Sequence, residues 1–323
     1  MENRPSITIF GIGALGMLFG SRLHQWAQVT LVGHWPEQIA AVSENGLLVT
    51  ELDGSERMYK LRVVSTPGPI EVVLILVKSA QTATAVERIA PLLQPNGLAI
   101  TLQNGLGNLE MLTAAVGPGR AAVGVTSQGA TVLRPGHIRH AGAGPTVLAR
   151  EPSRHPLLPV VVNLFNRAGL ATELVSQADG VIWSKLIVNV AINPLTALLE
   201  VPNGAIADDP WIRRLALAAA HEAAHVAIAL GVELPFADVD QHVLHIALLT
   251  ARNHSSMFQD VRRGVRTEID AMCGAVVAAG KGCGVDTPVN QELWRLVRAK
   301  EQGEKRNVRD ALNNLATNRL DEP

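Results

Sequence analysis

At roughly 100–200 residues per domain, a chain of 323 residues fits two domains. Its 47% hydrophobic and 18% charged residues can fill large cores, which excludes a disordered chain; with only 3% aromatics, those cores must be built from Ala, Val, Leu and Ile. Lys plus Arg number 28 against 29 Asp plus Glu, a net charge of -1, which lacks the basic excess of nucleic-acid and membrane-surface binders.

In chain order, residues 6–11 read as a strand, followed by a helix to about Trp26, a strand at 28–33 and a helix at 36–44. Residues 71–78 form an apolar run of the kind buried on both faces of a parallel sheet, then a helix at 81–93 and a strand at 98–104. Strands alternating with helices predict a parallel sheet with crossover helices. Residues 121–149 break into short β-like pieces with Gly and Pro turns, read as hairpins added to that sheet. Beyond about Gln177, long Ala- and Leu-rich helical stretches run to a charged tail from Glu301. The predicted class is therefore α/β: an N-terminal Rossmann-type dinucleotide-binding domain over 1–177, then an all-α domain over 178–323 that carries substrate and catalysis.

Residues 7–20 are apolar enough to imitate a signal-peptide core, but no basic cluster precedes them and no A-x-A-like site follows. No run of about 18 apolar residues lacks a charge or His, so no membrane helix is expected. Two cysteines, Cys273 and Cys283, make no disulfide framework, and a reducing cytoplasm is the expected compartment.

Gly11, Gly13 and Gly16 form G-x-G-x-x-G directly after the first strand. The first allows a tight turn, the second lets backbone approach a pyrophosphate, and the third lets helix and strand pack closely. The turn Gly11, Ile12, Gly13, Ala14, Leu15, Gly16 is the predicted phosphate cradle, with the helix N-terminus facing the anion. The second strand ends in Gly33-His34-Trp35, without the acid that binds an NAD ribose, so NADP follows by elimination. No Arg stands there either. His34 is the candidate cation, discrimination against NAD is expected to be weak, and NAD stays open as a cofactor. Trp35 packs on an adenine or is an ordinary half-buried aromatic.

In the second half, Lys185, Asn189 and Asn193 recur every four residues in an otherwise apolar helix, along one face with a drift of about 40° per step. Buried there unpaired, they would be costly. They meet either a polar ligand or a structural polar network, with Lys185 otherwise reaching solvent. Ser256 and Glu268, twelve residues apart, lie about 120° out of phase on one helix. They converge only if Ser256 sits in the turn before the helix, where a plain capping role competes.

These residues carry a resemblance. The glycine turn, Gln103-Asn104-Gly105, the run from Trp183 through Lys185, Asn189 and Asn193 to Ala197, and Ser255-Ser256-Met257 through Thr267-Glu268-Ile269-Asp270 resemble the ketopantoate reductase (2-dehydropantoate 2-reductase) family, in its order and over almost the whole chain. The resemblance implies NADPH-dependent reduction of a small-molecule 2-keto acid to its 2-hydroxy acid in pantothenate biosynthesis. It implies that Lys185 matches the catalytic lysine and that Asn104, Asn189, Asn193, Ser256 and Glu268 match substrate-site positions. Asn203 matches a further asparagine near the substrate, and Lys78 a lysine near the cofactor. Two positions depart from the family: His34 stands where an Arg is frequent, and Val265 replaces the Arg of a G-R-x-T-E segment.

As chemistry, Lys185 is expected to act as general acid for the forming alkoxide, with Glu268 tuning it or holding a substrate hydroxyl, while Asn104 also borders the cofactor. Other readings compete. A reductase of a different 2-keto acid would use the same scaffold. A dinucleotide sensor without turnover would keep the fold alone. His221-Glu222-Ala-Ala-His225 fits the zinc-hydrolase pattern H-E-x-x-H, with His242 or His245 as a third ligand, although Ile228 and Gly231 break its longer form. The Ala-rich helices are where a second copy would pack, with a homodimer kept open as the assembly.

Overall fold

A computed structural model describes residues 4–151, 153–304 and 307–319. The chain divides into two compact units, Met1–Gln103 with Gly107–Ala178, and Asn104–Leu106 with Asp179–Pro323.

The first unit runs β1 (Ser6–Phe10), α1 (Ala14–Leu23), β2 (Gln28–Val32), α2 (Pro36–Asn45), β3 (Leu47–Thr50), β4 (Glu56–Tyr59), β5 (Arg62–Val64), β6 (Ile70–Ile75), α3 (Thr82–Ile89), β7 (Leu93–Thr101) and α4 (Asn108–Val116). It continues through β8 (Ala121–Thr126), β9 (Gly129–Arg134), β10 (His137–Gly142), β11 (Thr146–Ala149), α5 (Leu157–Arg167) and β12 (Thr172–Val175). Among the described residues, one eight-stranded sheet has the order β12-β11-β8-β7-β6-β1-β2-β5, parallel except for the β8–β11 pair. The second sheet, β4-β3-β10-β9, has four strands.

The central strands are apolar for a plain reason: helices cover them. Ile7, Ile9, Val72, Leu74, Leu98 and Ile100 fill one core with α1, and Phe10, Val32, Val73, Ile75 and Ala99 fill another with α3 and α4. Helix α1 packs between β1 and β2 and the small sheet, so Met17, Leu18, Phe19 and Leu23 are buried on several sides. A helix buried all round is apolar all round. That accounts for the signal-like composition of residues 7–20.

Several expectations need correction. The turn-rich stretch does not simply extend the main sheet. β8 enters it parallel to β7, whereas β9 and β10 pair with each other and join β3 in the small sheet. The expected strands at 71–78 and 98–104 stop early, at Ile75 and Thr101, so Lys78 and Asn104 lie in the turns beyond them. Strands β3, β4, β5 and β12, of three or four residues each, give too few alternations to stand out in the sequence, and helices α4 and α5 add to the expected elements.

The second unit is helical: α6 (Asp179–Leu199), α7 (Ala205–Asp208), α8 (Pro210–Ala229), α9 (Val239–Leu249), α10 (Ser256–Arg262), α11 (Ala275–Cys283), α12 (Pro288–Glu301) and α13 (Val308–Arg319), with a π-helical turn at Asp270–Gly274. Helix α6 is long and apolar enough to cross a bilayer by length and composition, but 72% of that window is buried inside the protein. Helices α8, α10, α12 and α9 pack around it. Alanines 216, 219, 220, 223 and 224 of α8 are fully or almost fully buried, which lets α6 and α8 pack closely without aromatics.

Candidate active site

The first and third glycines of the turn are required by the fold itself. Gly11 has φ +126°, and a Cβ there would lie 2.6 Å from the Leu76 backbone. A Cβ at Gly16 would sit 1.9 Å from the Gly11 carbonyl oxygen, so only glycine lets α1 approach β1. At Gly13 a Cβ would meet nothing within 4 Å. The protein itself does not require glycine there; the open cradle fits a ligand that approaches backbone. Gly13 is the N-cap of α1, with no side-chain cap on the first-turn N–H groups, an end that could take an anion.

Beside it, His34 is exposed and Trp35, 37% exposed, is the N-cap of α2. Lys78 precedes the turn that leads into α3. The strand ends near it are tied together by Gln103, whose side-chain N–H groups donate to the Val77 carbonyl at 2.9 Å and the Thr82 hydroxyl at 2.8 Å. Spacing alone offered no signal for Gln103, because its partners are more than twenty residues away.

In the helical unit, Lys185, Asn189 and Asn193 lie on α6. Loss of hydration around the Lys185 ammonium lowers its pKa to about 8, and the Glu268 carboxylate opposes that shift. Asn104 donates from Nδ2 to Glu268 Oε2 at 3.0 Å. Three expected site residues from three distant stretches thus meet: Lys185 through the charge of Glu268, and Asn104 through a hydrogen bond. Asn104 is brought there by its neighbours. The Leu106 N–H donates to the Ala271 carbonyl at 3.1 Å, and Gly105, φ +84°, passes so close that a Cβ would lie 2.1 Å from that oxygen.

Asn193 is buried, and its amide donates only to the Met272 sulfur at 3.7 Å, a weak acceptor. Asn189 is half-buried one turn earlier. Asn203 is 8% exposed, on the loop after α6. Its Nδ2 donates to Thr250 Oγ1 at 3.0 Å. That hydroxyl spends its own proton on the Ile246 carbonyl, which fixes the amide orientation and leaves Asn203 Oδ1 buried without a donor. An orphaned buried oxygen suits a ligand hydroxyl or ammonium.

Ser256 is not the cap. Ser255 caps α10, accepting the Phe258 N–H at 3.1 Å, while exposed Ser256 is the first helical residue. Nor do Ser256 and Glu268 share a helix: α10 ends at Arg262, and Gly264, φ +64°, reverses the chain. The single-helix phase argument therefore does not apply.

The H-E-x-x-H pattern lies on α8, but its glutamate faces another task. Glu222 accepts the Val289 and Asn290 N–H groups at 2.7 and 2.8 Å and Asn290 Nδ2 at 2.8 Å, closing the N-terminus of α12. His221 pairs with Asp240 at 2.6 Å. A carboxylate already holding three donors is not a free general base, so the zinc-hydrolase reading is withdrawn.

Family models match both parts of the chain: ketopantoate reductase PanE/ApbA over residues 7–152 and its C-terminal domain over 177–301. A 2-dehydropantoate 2-reductase of Halobacterium salinarum is 35% identical over 302 residues, covering 92% of this chain and 99% of that protein. One from Pyrococcus horikoshii is 35% identical, covering 91% and 97%. Among solved structures, a PanE/ApbA family ketopantoate reductase from Ralstonia eutropha matches with a TM-score of 0.85 at 30% identity, over 93% of this chain and 100% of its own. A ternary complex of D-mandelate dehydrogenase with NADH and anilino(oxo)acetate matches at 0.87 and 26%, over 93% and 99%. With both halves matched in order by the family models and a relative 35% identical over nearly its whole length, the chain belongs to the ketopantoate reductase family.

Proposed function

We propose that this protein catalyses the NADPH-dependent reduction of 2-dehydropantoate to pantoate, in the cytoplasm. The observation that carries the reading is Lys185: a lysine on a largely buried helix, acted on by Glu268, with its pKa brought down to about 8. A general acid works best when its pKa lies near the working pH.

A bound nicotinamide cofactor would supply the hydride for the substrate's ketone carbon. Gly11, Ile12, Gly13, Ala14, Leu15 and Gly16 would hold its phosphates, with His34, Lys78 and Asn104 as further contacts. Open space at Gly13 supports this assignment. Lys185 gives its proton to the carbonyl oxygen as the alkoxide forms, and its charge stabilises that oxygen beforehand. Glu268 keeps Lys185 charged against the cost of burial. Asn189, Asn193 and Ser256 supply neutral hydrogen bonds to the substrate's carboxylate and hydroxyl, the poorly partnered Asn193 amide being suited to that, and the buried Asn203 oxygen, an acceptor, suits a substrate hydroxyl. His34 stands where the family frequently has an Arg, so preference for NADPH over NADH is expected to be modest. Free Cys273 and Cys283 fit a reducing compartment.

The test is oxidation of NADPH and NADH, side by side, over a panel of 2-keto acids that includes ketopantoate. Ketopantoate with NADPH is expected to give the highest kcat/KM. Lys185→Ala is expected to lose at least about 100-fold in kcat at saturating keto acid. Near-normal turnover in that variant, or a panel led by another keto acid, overturns the corresponding part.

A further inference from the structure

Glu268 lies between two anchors to the same helix face. On one side, the Thr267 N–H donates to Glu301 Oε1 at 2.7 Å. On the other, the Asp270 carboxylate accepts Trp294 Nε1–H at 2.7 Å and Arg298 Nη1 at 2.7 and 3.0 Å, with Arg266 Nη2 adding a contact at 2.8 Å. Trp294, Arg298 and Glu301 follow one another at i, i+4 and i+7 on α12, so one stripe of that helix grips both flanks of Glu268. The fit is close: a Cβ at Gly274 would come within 3.1 Å of the Trp294 ring.

Asp270 opens the π-helical turn Asp270–Gly274. Wide turns of this kind are uncommon and often mark functional positions. Here the turn brings two different partners to adjacent residues. Asp270 takes the donors from α12, and the next carbonyl, of Ala271, takes the Leu106 N–H that brings Asn104 to Glu268. Partial burial works to raise the Asp270 pKa, and the donors from Trp294 and Arg266 with the charge of Arg298 outweigh it, holding the carboxyl below its ordinary value and so ionised at neutral pH.

We propose that Asp270 is a positioning residue for the proton-donating pair: by tying the π turn to Trp294 and Arg298 of α12, it holds the Glu268 carboxylate against Lys185 and Asn104. It touches neither substrate nor cofactor in this role. The inference rests on the reading of Lys185 as the proton donor. The carboxylate acting on Lys185 is that of Glu268, so Asp270 acts through geometry and not through its own charge.

Full-length protein labelled with 13C and 15N in lysine tests it, with the Lys185 ammonium titrated by NMR and assigned by its absence in Lys185→Arg. Asp270→Asn removes the carboxylate charge; Trp294→Phe removes one donor and leaves every charge in place. In both, the Lys185 titration is expected to move below its wild-type position near pH 8. The alkaline limb of kcat is expected to move with it, and kcat to fall about tenfold, as a misplaced catalytic group costs, while KM for the keto acid stays within about twofold. Adding Glu268→Gln to Trp294→Phe should lower the Lys185 titration no further than Glu268→Gln alone. An unmoved titration in folded Trp294→Phe, or full additivity with Glu268→Gln, overturns the proposal. If the wild type turned over no 2-keto acid while the titrations shifted as described, the reductase reading would fail and the positioning role would stand.

Discussion

Lys185 shows how one residue acquires a chemistry its type does not possess. In water a lysine holds its proton too tightly to give it up near neutrality; here burial brings the pKa to about 8, with Glu268 limiting the fall. A pH dependence follows with a definite sign. The protonated form is the acid, so kcat for keto-acid reduction is expected to decline as pH rises through about 8, with unit slope. Glu268→Gln removes the opposing charge and should move that limb to lower pH; pH–rate profiles of the two proteins check it. The stripe of Lys185, Asn189 and Asn193 was legible in the sequence because helical period alone places them on one face. The meeting of Lys185 with Glu268, and of Glu268 with Asn104, was not, because Glu268 and Asn104 arrive through turns at Gly264 and Gly105 whose positive φ no periodicity reports. The capping role of Ser255 rather than Ser256 has a different origin: a one-residue offset decides which hydroxyl closes a helix.

At the scale of elements, the glycine turn separates structural from ligand-directed positions. Gly16→Ala forces a Cβ onto the Gly11 carbonyl and is expected to cost about 2 kcal/mol or more in stability, read by chemical denaturation. Gly13→Ala meets open space and should leave stability within about 0.5 kcal/mol, yet weaken dinucleotide binding at least about tenfold, read by fluorescence titration. Equal losses of stability in both would refute this separation. The H-E-x-x-H segment shows how a motif can be genuine in sequence and spent in structure. Glu222 serves the N-terminus of α12, the end where a negative charge is favoured.

At the scale of the whole molecule, the first unit holds its second sheet to α1 with a polar cluster. Arg22 of α1 donates to both Glu51 oxygens, at 2.8 and 2.5 Å, to Tyr59 at 3.1 Å and to His140 Nδ1 at 3.2 Å. Because arginine only donates, His140 Nδ1 must accept, and its proton sits on Nε2, directed to Gln128 and the Gly142 carbonyl. A second proton would face a cation. Burial first, and then the Arg22 charge, hold the His140 pKa below its ordinary 6.5, with Glu51 opposing. The unfolded chain therefore takes up that proton more readily. The contribution is intact above about pH 6.5 and is lost as pH falls below it. The melting temperature is expected to drop between pH 7 and 5, and His140→Gln to flatten that part of the curve; an unchanged slope would remove His140 from the account.

Composition, period and the glycine spacing determined by themselves that this chain is an α/β dinucleotide-binding fold followed by helices, and they marked the polar stripe of α6. Those are properties of contiguous residues, and local propensity with burial on one face or on all sides suffices to express them. Only the tertiary structure decided that β9 and β10 of the turn-rich stretch would join a second sheet, that Glu222 would close a helix, and that Asn104 would reach Glu268 beside the π turn that Asp270 opens. Those outcomes depend on which distant donor finds which acceptor once the cores have closed, and no interval along the chain encodes that distance.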